Sequence, residues 1–337
     1  MPGALPRPKW RQGKGVAGRP AWDRAAYLAA ALGIAACGTG PAVAAPVPAA
    51  DGWKLVFADD FDGTALDAAK WTPYEDCWGG GNQERQCYSA SGDNIAVHDG
   101  QLDLVARFEK ASGPALALDM RTPGTKVDTA TKPFTSGKIS TKGKFALTYG
   151  RIEVRAKSPL GQGVWPAIWL LPETNAYGRW PGSGEIDVME TVNLGARCTG
   201  CVGGVENQIY GTIHYGSFMH HQFQQHEAVL PKGTEGDWHT YRVDWAPDTI
   251  TWLIDGQRYA QVRLANWRDT LQRGDRIENA VRKAPFDRPF HLILNLAIGG
   301  LWPESHNEGG VVLKDYPKTF AIDWVHMYSC ERDTGCD

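Results

Sequence analysis

The chain has 337 residues, 42% of them hydrophobic and 22% charged, with a formal net charge of -3. That content supports one large or two small domains with a real core, one large domain being the expectation, and it excludes a disordered chain or a fixed-period repeat. Glycine at 39 and tryptophan at 14 are high counts; they suit frequent turns between short strands, and either a large core or a surface that stacks on flat apolar rings.

In chain order, Arg7, Lys9, Arg11, Lys14, Arg19 and Arg24 precede an apolar run, Ala25 to Ala36. The run is too short to span a bilayer and suits the hydrophobic region of a signal peptide, so residues 1–37 are expected to direct export. Two cleavage readings stay open. "IAAC" before Gly38 resembles a bacterial lipobox, which would leave a lipidated Cys37 as a membrane anchor, and "AVA" at Ala42 to Ala44 suits ordinary signal peptidase. The expected location is outside the cytoplasm of a bacterium: secreted, periplasmic or a cell-envelope lipoprotein. Residues 1–37 hold six basic residues and Asp23, so their removal takes the formal charge from -3 to -8. An acidic mature chain excludes nucleic acid as a partner and favours a neutral one.

Residues 38–50 are small and proline-rich and read as a linker. The domain is expected over 51–330, with 331–337 as a C-terminal tail. Six cysteines besides Cys37 fall into local pairs, Cys77 with Cys87, Cys198 with Cys201 and Cys330 with Cys336, the simplest of fifteen connectivities. Neither a second CxxC nor a thioredoxin-like pattern accompanies "CTGC", which favours a loop-clamping disulfide there over a redox or zinc motif.

From Asp51 onward, short alternating runs follow one another between turn residues, among them "WKLVFADDF", "GRIEVRAKS", "HTYRVDWAP" and "FAIDWVHMYS". This spacing predicts an antiparallel all-β sandwich. "HDGQ" and "IDGQ" place Asp-Gly pairs where hairpins should turn. Residues 264–284 are the one stretch expected to hold a short helix.

"GSGEIDVMET" sets Glu185, Asp187 and Glu190 in a β-branched apolar strand. Charges on a solvated edge strand would be the bland explanation. The neighbours argue otherwise: Ile186, Val188 and Met189 bury one face, and "GVWPAIWLLP" upstream reads as a central strand with Trp165 and Trp169 on one face. In a regular strand Glu185 and Asp187 share a face and Glu190 points away; one β-bulge at Val188 or Met189 brings it back. Three acids and two indoles would then line one surface, as in a sugar cleft. The two glutamates would stand roughly 13 Å apart at Cα, and inward-leaning side chains would close the carboxylate gap to about 5 to 5.5 Å, the separation used for hydrolysis with retention. One glutamate would be nucleophile and the other acid/base, with Asp187 pushing their pKa values apart. Spacing alone does not assign the two roles.

With these residues in view, the sequence resembles glycoside hydrolase family sixteen, in particular its laminarinase-like endo-β-1,3-glucanases. "GEIDVMET" matches the signature E-I-D-x-x-E, and "YGRIEVRAKSPLGQGVWPAIWLLP", "GTIHYG", "GDWHTYRVDWAPDTITWLIDGQ" and "PFHLILNLAIGG" resemble further family segments in the expected order. The resemblance covers residues 53 to about 328. It implies a concanavalin A-like β-jelly roll with a concave substrate cleft, and retaining hydrolysis of internal β-1,3-glucosidic bonds of laminarin-type β-glucan by double displacement. It places Glu185 as nucleophile, Asp187 as its partner and Glu190 as acid/base. Trp165 and Trp169 would floor the cleft, His214 would lie beside the catalytic strand, and Asn82 would border the donor subsites while Glu84 braces its loop. Lys138 stands where many laminarinases carry Arg, and Leu301 replaces the usual Asn before Trp302; both Lys138 and Trp302 are expected on the substrate side. Catalysis would need no cofactor. Family members bind one calcium at positions matching Asp60, Gly100 and Asp323, where the ion's role would be structural; turn duty is the other reading of these acids. The expected protein is a monomer acting on β-glucan. Mixed β-1,3/1,4-glucan, other family polysaccharides, net transglycosylation and a non-catalytic glucan-binding module are the alternatives, the last disfavoured because both glutamates are present.

Overall fold

Two antiparallel sheets lie face to face. A seven-stranded sheet runs in the order His220–Val229, Gln208–Ser217, Glu185–Glu190, Val164–Pro172, Phe290–Ile298, Lys138–Ser140 and Thr72–Pro73. In the eight-stranded sheet, Gly150–Lys157 pairs with Trp238–Trp245 on one side and Lys318–Cys330 on the other, and Trp53–Asp59 also pairs with Lys318–Cys330. The computed structural model describes residues 52–122, 124, 126–263 and 283–330, and the backbone of 270–273 and 276–279, all within one unit, Pro48–Asp337. The expected signal peptide with Cys37, the linker, the domain start at Asp51 and the tail with Cys336 lie outside the described residues.

Period-two alternation builds the core. In Gly150–Lys157, Ile152, Val154 and Ala156 are buried, while Arg151 faces outward to meet Asp244 at 2.8 Å and Arg155 pairs with Asp323. Across from them the seven-stranded sheet contributes Ile168, Leu170, Ile186, Leu292, Leu294 and Leu296. Each fully buried aliphatic side chain of this kind contributes about 1.5–3 kcal/mol of transfer free energy. The Asp-Gly turns form as expected: Asp99-Gly100 and Asp255-Gly256 have φ of 51°, 75°, 49° and 75°, the left-handed conformation that two-residue hairpins demand.

Residues 264–284 do not follow the expected helix where they are described. Thr270–Arg273 pairs antiparallel with Arg276–Asn279. Gly274-Asp275 between them is hairpin chemistry in the sequence, and it outweighs the weak apolar periodicity. Cys77–Cys87 and Cys198–Cys201 are disulfide-bonded.

Candidate active site

The strand Glu185–Glu190 carries the expected bulge. Against Val164–Pro172 its register runs Ala167 to Glu190 and Ile168 to Met189, then Trp169 to Asp187, passing over Val188. On the other side Asp187 pairs with Thr212 and Glu190 with Tyr210, three residue steps on one strand against two on the next. Glu185, Asp187 and Glu190 therefore share the cleft face, while Ile186, Val188 and Met189 are buried. Trp252 of the opposite sheet donates its indole N–H to the Asp187 carbonyl at 2.8 Å. Gly211 makes room for that indole: a Cβ there would sit 2.4 Å from Trp252 Cδ1.

The two glutamates have unequal partners. Glu185 accepts from Trp180 Nε1 at 2.9 Å and lies 3.7 Å from His214 Nε2. Glu190 accepts from Trp165 Nε1 at 3.0 Å. His214 Nε2 approaches Asp187 Oδ2 at 3.2 Å, but not along a hydrogen-bonding direction, which leaves that buried oxygen without a hydrogen bond among the described residues. Burial, and next the Asp187 charge, push Glu185 and Glu190 each up to about 8. Burial also holds Asp187 well above the usual carboxylate range. Glu185, Asp187 and His214 bring ligand atoms within 4.8 Å of one another, a spacing that suits shared protons as well as a cation.

Of the remaining expected cleft residues, Trp165 and Trp169 alternate outward from their strand onto the same face as the acids. Trp169 donates to Asn295 Oδ1 at 2.6 Å. Lys138 is buried with its ammonium over three rings, 4.4 Å from Tyr74, 5.3 Å from Trp169 and 5.6 Å from Tyr88. Trp302 meets Trp165 edge-on at 5.4 Å and Tyr210 at 5.0 Å, forming a wall beside Glu190. The Leu301 N–H bonds the Asn82 carbonyl at 2.8 Å, which joins the Trp302 segment to the Asn82 loop. Glu84 is buried and holds Gln86 Nε2 at 2.7 Å and Asn82 Nδ2 at 3.4 Å, a bracing position.

Four further residues at the site lay outside the sequence expectations. Trp180 touches Glu185 from the loop before the signature strand. His221 Nε2 stands 2.9 Å from His214 Nδ1. Tyr210 packs against Trp302, and Asn295 bonds both Trp169 and Tyr88. Only Asn295 had a clear signal in the sequence, being the one amide in a strand that is apolar apart from it and His291.

Away from the cleft, strand register gathers Asp60, Gly100 and Asp323: Asp59 pairs with Val325, and Leu102 with Ile322. Asp60 Oδ1 bonds His326 at 2.8 Å and Asp323 Oδ2 pairs with Arg155. Among the described residues each carboxylate keeps one oxygen outside these pairs, and with the Gly100 carbonyl they are hard donors of the kind calcium takes. A third group, Cys198, Cys201 and Glu206, is close enough to ligate a metal, but the disulfide occupies both sulfurs.

Two half-buried glutamates on one face of a β-sandwich, with indoles bonded to both, are the arrangement a glycoside hydrolase uses. A model of "Glycosyl hydrolases family 16" matches residues 88–325, and the chain belongs to that family. It is 37% identical to "Glucan endo-1,3-beta-glucosidase A1" of Niallia circulans over 83% of this chain, spanning 38% of that protein's length. It is 35% identical to "Beta-glucanase" of Rhodothermus marinus, covering 82% of this chain and 85% of that one. The X-ray structure of the laminarinase from Rhodothermus marinus superposes with a TM-score of 0.64 at 33% identity, covering 82% and 98% of the two chains. The fold is thus the β-jelly roll of this family.

Proposed function

We propose that the chain hydrolyses internal β-1,3-glucosidic bonds of laminarin-type β-glucan with retention at the anomeric carbon. The observation that carries the mechanism is the bulge, which puts two glutamates with unequal partners on one face. Glu185, met by the Trp180 indole N–H and by His214, both of which favour its ionised form, is the group whose anion is better supported; it attacks the anomeric carbon and forms a glycosyl-enzyme. Glu190, with one indole partner, gives its proton to the leaving oxygen. It then takes a proton from water as that water displaces Glu185 from the sugar. Trp165, Trp169 and Trp302 offer flat apolar faces to the rings, Asn82 and Lys138 offer donors to sugar hydroxyls, and His214 orients the nucleophile's carboxylate.

The names of the relatives support the β-1,3 linkage. Reducing-sugar release by the wild type and by Glu185→Gln on laminarin, barley mixed-linkage glucan and agarose tests the reading. Release from laminarin that is lost in the variant is expected; release from agarose alone would overturn it. We propose calcium at Asp60, Gly100 and Asp323 as a stabilising ion remote from the chemistry. Export, anchoring through Cys37 and a monomeric state are proposed from the sequence; mass measurement of envelope-extracted protein and its sedimentation test them, and an unlipidated dimer would contradict the last two.

A further inference from the structure

The loop between the signature strand and Gln208–Ser217 gathers reactive side chains that the chemistry proposed above does not use. Arg197 and Val205 pair across its base, the Cys198 N–H bonds the Gly204 carbonyl at 3.0 Å, and the Cys201 N–H bonds the Cys198 carbonyl at 3.2 Å. Gly203 and Gly204, at φ of 84° and 80°, let the chain turn back this tightly. The turn brings both sulfurs to Glu206: the ligand atoms of Cys198, Cys201 and Glu206 lie within 4.8 Å of one another.

Glu206 is fully buried, which a carboxylate tolerates only with partners. Its Oε1 accepts from the Gln208 N–H at 3.1 Å. Its Oε2 accepts from Asn307 Nδ2 at 2.8 Å, and lies 3.1 Å from His306 Nε2 and 3.5 Å from Cys201 Sγ. Ligand atoms at zinc-bonding distance around a tetrahedral ion stand about 3.3 to 3.8 Å from one another. Sulfur, carboxylate oxygen and imidazole nitrogen therefore already keep close to the edges of such a tetrahedron. "CTGC" by itself is half of a zinc motif; the fold supplies the other half from Glu206 and from His306 in a segment remote in sequence.

We propose that this loop is a clasp with two closed states: the Cys198–Cys201 disulfide of the structure and, once that bond is reduced, a zinc ion held by Cys198 Sγ, Cys201 Sγ, Glu206 Oε2 and His306 Nε2. A dithiol supplies two electrons and two protons: the S–S bond breaks, the dithiol leaves as a disulfide, and two thiols remain. The sulfurs are then free to part to about 3.7 Å, the spacing of two thiolates on one zinc. Zinc displaces both thiol protons to water, and His306 ligates through Nε2 with its proton on Nδ1. Oxidising surroundings favour the disulfide and reducing ones the zinc. In both states His306 stays joined to Glu206. Asn193 Nδ2 bonds the Pro303 carbonyl at 2.9 Å and Asn307 Oδ1 at 2.8 Å, so the clasp backs the segment that carries Trp302 beside Glu190.

The full chain, reduced with a dithiol and freed of it without air, is dialysed against zinc and against cobalt(II), with the air-oxidised chain alongside. Glucan hydrolysis plays no part in the readout, which keeps this test apart from the glucanase reading. The reduced chain should take up one zinc beyond the oxidised chain, and its cobalt form should show thiolate-to-metal charge-transfer absorption in the near ultraviolet. Cys198→Ser should remove both signals, whereas Cys77→Ser/Cys87→Ser should keep them. Glu206→Gln and His306→Gln should each raise the Kd for zinc by about a hundredfold. The His306 side chain is about one-third exposed and can be changed without opening the core, so its variant decides the matter if Glu206→Gln does not fold. No extra zinc on reduction, zinc uptake undiminished in Cys198→Ser, or full affinity in His306→Gln would overturn the zinc state.

Discussion

Trp252 donates its indole N–H through the core to the carbonyl of Asp187 at 2.8 Å, at the point where the signature strand shifts register. Both groups are buried, so each would be costly without the other. Trp252→Phe removes the donor and keeps an aromatic ring. A stability loss of roughly 1–3 kcal/mol is expected in urea denaturation, with turnover lowered more than KM because the bulge sets the spacing of the acids. Wild-type stability and turnover together would show that the bulge holds without this bond.

Much of this site was legible because periodicity forced it. Glu190 lies five residues after Glu185, an odd interval that a period-two strand reconciles on one face only by a bulge. The Asp-Gly hairpins were legible because few other dipeptides adopt their dihedrals. Trp180 and His221 were not: one sits on a loop whose direction is set by tertiary packing, the other on an edge strand polar along most of its length. The pairing of Thr270–Arg273 with Arg276–Asn279 was not legible because a short run with few apolar positions fits a helical period as well as a strand one.

The alkaline side of the pH profile should report Glu190. Its burial and the Asp187 charge hold it up at about 8, and it must carry a proton to release the leaving group. Activity is therefore expected to fall as pH rises through about 8. The Trp165 indole N–H favours the ionised form of Glu190. Trp165→Phe removes that preference and should move the alkaline limb of kcat/KM to higher pH; a shift to lower pH would contradict the role assigned to this bond.

The same acids link stability to pH. Glu190 holds a proton in the folded state up to about 8, whereas the unfolded group releases it near its ordinary value of 4.5. Between those values the folded state binds more protons, so stability is lost as pH rises. Glu190→Gln keeps the shape and removes the ionisation. The variant should melt above the wild type at pH 8, with the gap closing as pH falls toward 4. A gap of constant size across that range would mean that the ionisation contributes nothing.

Calcium at Asp60, Gly100 and Asp323 would tie the first and last strands of the eight-stranded sheet to the turn at Asp99-Gly100. A chelator is expected to lower the melting temperature, and added calcium to restore it, with the pH profile of activity unchanged because these residues lie away from the cleft. Asp323→Asn should melt lower and respond less to calcium. Melting indifferent to the chelator in wild type would remove the ion from the account.

The two glutamate roles separate when the leaving group needs no proton. An aryl glycoside with an acidic phenol departs unaided, so Glu190→Ala should still form the glycosyl-enzyme and release phenol in a burst. Steady turnover then slows, because the water of the second step lacks its base. Glu185→Ala forms no glycosyl-enzyme, and neither burst nor turnover should survive by this route. Azide, small enough to enter the space left by Glu190, needs no base and should restore turnover of Glu190→Ala as a glycosyl azide with the substrate's own configuration. At Glu185→Ala, azide should instead attack from the nucleophile's side and give the inverted product. Stereochemistry of the two azides by proton NMR therefore assigns each carboxylate to its face of the sugar, and inverted azide from Glu190→Ala would exchange the roles.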